Sequence, residues 1–595
     1  MKKALLILLF IVINYANAQN NKLAYDYFRK GEFEKSAAIY EELYNKNTRS
    51  NNYFKQLLKC YQELEYFPKA DTLLLNHLNK YPKKGYLFAE LGYNYQLQNQ
   101  QEKATPLYEK AIKAVELKPT SAYQTGRTFQ ENHLLDYAIQ TYEIAMQKQP
   151  SLNFDVYIAN IYGEKGEINN MFNAYLDMVE KKESAITTVQ RYISKFITND
   201  NQNTNNLLFR KLVLTRLQNN PNNSWNKLLS WLYMQQKDYN KALIQEKAIY
   251  NRNGSDLNSL FNVADISYED NDYLTAEKAY AFIIENAKNN IDILYAKNQL
   301  IQIAIKLAKT EEDYNNIEQK YKQILTEFGT GSNTVKTQIN FADFLVFSKN
   351  KPNEAITILN QAKTVASSKF LQGEIKIKLA DILVFNNKFN QALITYTQVQ
   401  SDIRSSDIAQ IARLKVAKTS YYKGDFDWAK IQLKVLKAAT SKLISNNALK
   451  LNLLIGDNIA GDTIRVALKK YAKADLLSYQ NKTQQAIDTL SLILKDYKGH
   501  AIEDEALFKQ AELYKKQNKY ELAVNNYIKI TKLKKEGILV DDAYYELGEI
   551  YSKQLNDTEK AKEMYQKIIF DYANSIFLVN ARKKYRKLRG DTLEQ

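Results

Sequence analysis

Tyr27, Tyr61, Tyr95 and Phe129 stand at a constant interval of 34 residues, and Ser36, Ala70, Ala104 and Ala138 follow each of them by nine. Tyr40, Leu74, Tyr108 and Tyr142 keep the same interval. A fixed period of this length means that one small unit is reused, and a unit too small to bury its own apolar face must stack on its neighbours. Within a unit the apolar positions recur at three and four, as in Leu91 and Tyr95 and then Ala104, Leu107, Tyr108 and Ala111. That spacing puts them on one face of each of two helices. Short polar stretches such as Lys30-Gly31-Glu32 and Gln98-Asn99-Gln100 separate the helices. A small side chain at the Ala104 position lets two helices approach closely and a large ring fills the space beside it, so packing rather than chemistry explains the pattern.

Only 7 Pro and 17 Gly occur in 595 residues, which argues for helices joined by short turns over β-rich folds that depend on those residues. The period, the small-then-aromatic order and the closing prolines Pro82 and Pro150 make residues 19–150 resemble the tetratricopeptide repeat, a unit of about 34 residues folded as two antiparallel helices. The resemblance implies an all-α fold, an α-solenoid of stacked antiparallel helix pairs wound into a superhelix. Thr125 stands where the family usually has Leu, Leu58 where it has Gly or Ala, and His77 where it has Ala. Because each unit is expected to pack only against its neighbours, these departures should weaken single repeats without breaking the array.

Beyond residue 150 the pattern drifts and returns at Tyr239 and Ala242, at Tyr273, Ala276 and Tyr280, and at Phe389, Ala392 and Tyr396. It recurs at Phe426 and Ala429, at Tyr520, Ala523 and Tyr527, and at Ala561 with Tyr565. Stretches at 199–206, 219–223, 329–332 and 456–462 read as loops. The expected division is an N-terminal array at 19–182, divergent helical repeats at 183–330 and a C-terminal array at 331–595. Leu578, Ala581, Tyr585 and Leu588 stand at helical spacing in the last stretch, which suits a capping helix.

Residues 1–18 read as a secretory signal: Lys2-Lys3, the apolar run from Ala4 to Ile13, and Ala16-Asn17-Ala18 as a small-residue cleavage site. The run is about half the ~20 residues a spanning helix needs, so no transmembrane span is expected in the mature chain. The chain is expected to be exported, to the periplasm or the outer membrane of a two-membrane bacterium. Cys60 is the sole cysteine, so no internal disulfide is available and packing alone must hold the exported chain. Cys60 itself reads as a small core residue. Formal charge is +17, two units of it from Lys2 and Lys3, and export turns this basic excess away from nucleic acid and toward anionic surfaces or acidic partners. Six cations, Arg582, Lys583, Lys584, Arg586, Lys587 and Arg589, crowd the last helix, where they read as a solvated helix end or as a grip on an anionic surface.

Chemistry-bearing patterns are missing from the sequence. His77, His133 and His500 lie far apart without metal-ligand spacing, and Gly329-Thr330-Gly331 lacks the frame of a phosphate loop. Asp541-Asp542 and Glu311-Glu312 read as helix-start residues favoured by the dipole. The reading is a binding protein with no catalytic residues, no metal and no cofactor. In the repeat family the first helix of each pair lines a concave face used for binding. The resemblance puts Tyr25, Lys59, Tyr93 and Arg127 in that groove, each two residues before a repeating ring, with Lys55 and Tyr123 four residues further back and Arg29 beside Tyr25. Rings alternating with cations suit an extended peptide or a glycan with acidic groups, while a chain this rich in Tyr and Lys also carries such residues as plain solvated or packing positions. The expected function is an exported scaffold or adaptor that binds partner proteins or extended peptide segments in the bacterial envelope. The alternative is recognition of an anionic cell-wall glycan or lipopolysaccharide.

Overall fold

A computed structural model describes residues 19–591 except 255, 405, 437–440, 460–464 and 534–536. The leader read at 1–18 and the end of the break read at 456–462 lie outside the described residues. Every regular element among the described residues is helical, and the helices pack as consecutive pairs. None of these helices is long and apolar enough to cross a membrane. The chain forms two compact units, Met1–Ala279 and Tyr280–Gln595, each a stack of helix pairs in the manner of an α-solenoid.

The N-terminal unit opens with the pairs 19–29 and Phe33–Lys46, Asn51–Glu63 and Phe67–Lys80, Gly85–Leu97 and Gln101–Leu117, Ala122–Glu131 and Leu135–Lys148, and Asp155–Glu164 and Ile168–Lys181. Each of the first four pairs turns through one residue in the left-handed conformation: Gly31 (φ +78°), Glu65 (+56°), Asn99 (+59°) and His133 (+56°), again 34 residues apart. That conformation costs an L-residue roughly 1–2 kcal/mol, least for Asn. Further along, Asn271, Asn350, Asn387, Asn481, Asn518 and Asn556 take it. Asparagine thus does at these turns what glycine commonly does, which is how so many helix pairs form with so few glycines.

In many of the pairs the second helix contributes a fully buried large side chain, and the residue sixteen positions earlier on its partner helix is small. Tyr40 is matched by Ala24, Tyr108 by Gly92, Tyr142 by Gly126, Tyr175 by Ala159, Tyr396 by Ala380 and Tyr527 by Ala511. The fit leaves no spare volume. A Cβ on Gly92 would stand 2.5 Å from Tyr108 Cε1, and one on Gly126 would stand 2.5 Å from Tyr142 Cζ. Gly548 meets Tyr565 in the same way, at 2.6 Å. Leu58 departs from the small-residue rule, and its partner sixteen residues on is Leu74, with both buried. A larger residue on one helix is therefore matched by a smaller one on the other. His77 is also accommodated, stacked 4.0 Å from Phe54 with its Nδ1 2.9 Å from the Tyr44 hydroxyl. Thr125 is buried and its hydroxyl donates to the Ser121 carbonyl at 3.3 Å. Cys60 lies in the same core, its Sγ 3.3 Å from Ser36 Oγ.

Part of the asparagine-rich stretch read as a loop at 199–206 is helical, because the helix Thr204–Asn219 begins inside it. Asn203 caps that helix, accepting from the Asn205 and Asn206 amides. Buried Asn206 ties the preceding turn, donating to the Thr198 and Asp200 carbonyls at 2.8 and 2.7 Å. These asparagines are structural punctuation.

In the C-terminal unit the turn after the helix Val466–Tyr479 reaches back across several pairs. Gln480 Nε2 donates to the Phe385 carbonyl at 2.8 Å, Asn481 Nδ2 to the Phe347 carbonyl at 2.6 Å, and the Tyr479 hydroxyl to the Asp381 carbonyl at 3.3 Å. The Tyr479 ring also lies 5.4 Å from Phe347 and 6.1 Å from Tyr422. These contacts join residues 95, 134 and 98 positions apart, so packing in this unit is not confined to neighbouring repeats.

Gly92→Ala should destabilise the N-terminal unit by about 1–3 kcal/mol through overpacking against Tyr108. Adding Tyr108→Leu, which copies the Leu74 solution, should restore part of that loss, giving a favourable coupling in a double-mutant cycle read by denaturant unfolding. Strictly additive effects would show that ring and notch do not constrain each other.

Candidate functional site

The first helices of the N-terminal pairs lie side by side, and their exposed face gathers most of the residues expected there. Glu131 ends the helix Ala122–Glu131, and three cations from two different pairs converge on it. Arg127 Nε donates to its Oε1 at 2.8 Å, while Lys55 Nζ and Lys59 Nζ stand 3.8 and 4.0 Å from its Oε2. The two lysines come from the second pair and Glu131 from the fourth, so side chains meet across the whole width of the third. A face on which such a reach is possible is concave.

Burial alone would raise the Glu131 carboxyl, but the Arg127 hydrogen bond and the Lys55 and Lys59 charges outweigh it and hold the group below the usual carboxylate range. Beside it, Glu90 from the third pair is buried and accepts from Asn132 Nδ2 at 3.4 Å. Its carboxyl is pushed above the usual range by burial, against the pull of Lys55, Asn132 and Lys59. Tyr93 is half-buried in the same region, its hydroxyl pKa raised first by burial and then by Glu63 and Glu90. Tyr25 and Arg29, on the helix at 19–29, are exposed and take no part in the Glu131 cluster.

Next to this cluster a cavity of about 800 Å³ opens between the helices Ala122–Glu131 and Asp155–Glu164 and the segment Ile186–Phe196. Tyr123 and Arg127 form one wall, bound to each other by a 3.0 Å hydrogen bond from the guanidinium to the phenol oxygen. Tyr157 packs edge-on to Tyr123 and tilted over Tyr142, each at 5.6 Å. Tyr192, Lys195 and Phe196 complete the far side. Tyr142 lines the cavity from within the core: its ring is fully buried, and its buried hydroxyl has no hydrogen-bond partner among the described residues. Gly163 also lines the cavity and packs closely, since a Cβ there would stand 3.0 Å from Met171 Sδ and 3.5 Å from Phe196 Cζ. The site thus offers the exposed ring faces of Tyr123 and Tyr157, with acceptors at Glu131 and Glu164 and a donor at Arg127.

The structure therefore brings Lys55, Lys59, Tyr93, Tyr123 and Arg127 into one region and leaves Tyr25 and Arg29 apart from it. Glu90, Glu131 and the wall at 192–196 were not singled out in the sequence. Tyr157 had a signal, since it follows Tyr123 by the repeat interval. Glu131 had none, because the position one interval earlier is Leu97.

Residues 505–533 and 542–575, two helix pairs of the C-terminal unit, match the family model described as tetratricopeptide repeat. No curated protein matches the sequence. Among solved structures, the chain is similar to Naa15/Naa10 bound to HypK-THB at 11% identity and a TM-score of 0.28, covering 97% of this chain and 96% of that one. It is similar to the APC/C hetero-tetramer Cut9-Hcn1 at 12% identity and a TM-score of 0.21, covering 96% of each. Similarity to yeast Tom70 is at 14% identity and a TM-score of 0.26, covering 93% of this chain and 99% of that one.

A carboxyl with a raised folded pKa holds its proton more tightly in the native state, so its contribution to stability falls as pH rises from the unfolded value of about 4.3 through the folded one. Glu90→Gln should therefore stabilise the N-terminal unit at pH 7 and lose that advantage in acid, where Glu90 itself is protonated. Hydrogen exchange in the helix Gly85–Leu97 at both pH values is the measurement. Lower protection of the variant at pH 7 would show that Lys55 and Lys59 need the ionised form.

Proposed function

We propose that this chain is an exported scaffold or adaptor of the bacterial envelope, in the periplasm or at the outer membrane, holding partner proteins or extended peptide segments in the groove of its N-terminal unit. The observation that carries the reading is the ring-walled cavity at Tyr123, Tyr142 and Tyr157, continuous through Arg127 with the Glu131 cluster. An extended peptide presents alternating backbone donors and acceptors, and this groove offers both kinds of partner beside large rigid rings. The anionic glycan or lipopolysaccharide is the second reading, since Lys55, Lys59 and Arg127 gather on the single carboxylate of Glu131 and carry more charge than it offsets. The proposed role is binding and not catalysis, needs no cofactor, and involves no nucleic acid. Export rests on Lys2-Lys3, the apolar run and the Ala16-Asn17-Ala18 site.

Selection of displayed random peptides on the chain from Gln19 onward should enrich a binding sequence. Tyr123→Ala with Tyr157→Ala should then weaken that peptide by about 2 kcal/mol or more, as loss of central aromatic anchors does. Lys110→Glu, exposed on a second helix, should leave it unchanged. Lack of enrichment, or equal binding by the double variant, would refute the groove. For export, mass spectrometry of the protein from its native cells should find Gln19 at the N-terminus, and an intact 1–18 would refute the leader.

A further inference from the structure

The helix Leu578–Arg589 covers the last repeat of the C-terminal unit, and its two faces differ sharply. Phe577, just before it, stacks 4.4 Å from Tyr545, Ala581 is fully buried, Lys584 is paired with Glu549, and Leu588 packs on the same core. These residues follow one another at three and four, so the opposite face carries Val579, Arg582, Lys583 and Arg586. Arg586 and Arg589 both lean on Asp591. Arg582, Lys583 and Lys587 are exposed and form no ion pair among the described residues. The helix dipole favours cations in the last turn, but gives nothing to Arg582 and Lys583, which lie in the first half of the helix.

Shortly before and at the start of this helix come three large apolar side chains that the fold leaves in water. Phe570 ends the preceding helix Thr558–Asp571 and is 71% exposed, Ile576 lies in the connecting turn at 84%, and Val579 opens the capping helix at 74%. All three fall within ten residues. Their neighbours Ile568, Tyr565 and Phe577 point into the core, so the outward placement is not a failure to find apolar company. Exposed apolar groups on the same short stretch of chain as a basic helix face match a boundary that is anionic outside and hydrocarbon within.

We propose that this outer face is an attachment surface for an anionic lipid bilayer. Arg582, Lys583, Arg586 and Lys587 lie over the headgroups, and Phe570, Ile576 and Val579 enter the edge of the acyl region. The surface is distinct from the N-terminal groove and holds whatever that groove binds.

The test is co-sedimentation of the chain from Gln19 onward, which keeps both units and omits the apolar leader, with vesicles of phosphatidylcholine carrying about three parts in ten phosphatidylglycerol. Binding is expected to weaken about tenfold or more on pure phosphatidylcholine and to fall as salt rises. Arg582→Glu with Lys583→Glu should weaken it about tenfold or more. Ile576→Ser with Val579→Ser, which keeps every charge, should weaken it several-fold and leave a remainder that is more salt-sensitive. Lys110→Glu with Lys113→Glu, exposed in the N-terminal unit, should change it less than about twofold. Equal loss in that control would reduce the effect to overall charge and overturn the proposal. So would absence of binding to the anionic vesicles, or a concentration-dependent dimer abolished by the Ile576 and Val579 changes, which would make a second copy the occupant.

Discussion

The fold depends on one steric fit, a ring from the second helix of a pair seated against a residue of the first helix too small to repel it. Where that residue is Gly92 or Gly126, the Tyr108 or Tyr142 ring occupies the very place a Cβ would take. This closeness sets the distance between the helices, and the next pair inherits the same geometry because it stacks on the same surface. Interiors packed at this density transmit a change of one methyl group. At Leu58 and Leu74 the same place is filled by two side chains of middling size.

A periodic scaffold presents its first helices side by side, and what the exposed face does is then decided by aperiodic residues. Lys55, Lys59 and Arg127 sit at repeating positions, but their environment is set by Glu131 and Glu90, which do not repeat. Surface ion pairs of this kind contribute little stability each. Their effect is to hold long side chains in place beside the ring faces and hydrogen-bonding edges that a partner would meet.

The two units use the same pair differently. In the N-terminal unit, side chains from the second and fourth pairs meet across the third on the open face. In the C-terminal unit the turn at Tyr479–Asn481 docks directly on the ends of helices roughly a hundred residues earlier, which ties together repeats that a simple stack would leave independent. Local opening of one pair there must also break contacts with distant ones, so cooperativity is expected to be greater than a nearest-neighbour array allows.

Over residues 19–150 the helix pairs, their turns and the buried stripe were legible in the chain, because helical spacing and the 34-residue interval are local properties that each unit repeats. The rings at Tyr108 and Tyr142 and the basic run from Arg582 to Arg589 were legible for the same reason, and the sense of asparagine at the left-handed turns was available though easily read as loop. The packing of the pairs decided that three cations share Glu131, that Glu90 is buried beside them, that Tyr123 and Tyr157 meet at a cavity, and which face of the last helix meets solvent. Each of these depends on how far one pair rotates relative to the next. That angle accumulates over several pairs from many small packing contacts, and no interval in the chain encodes it.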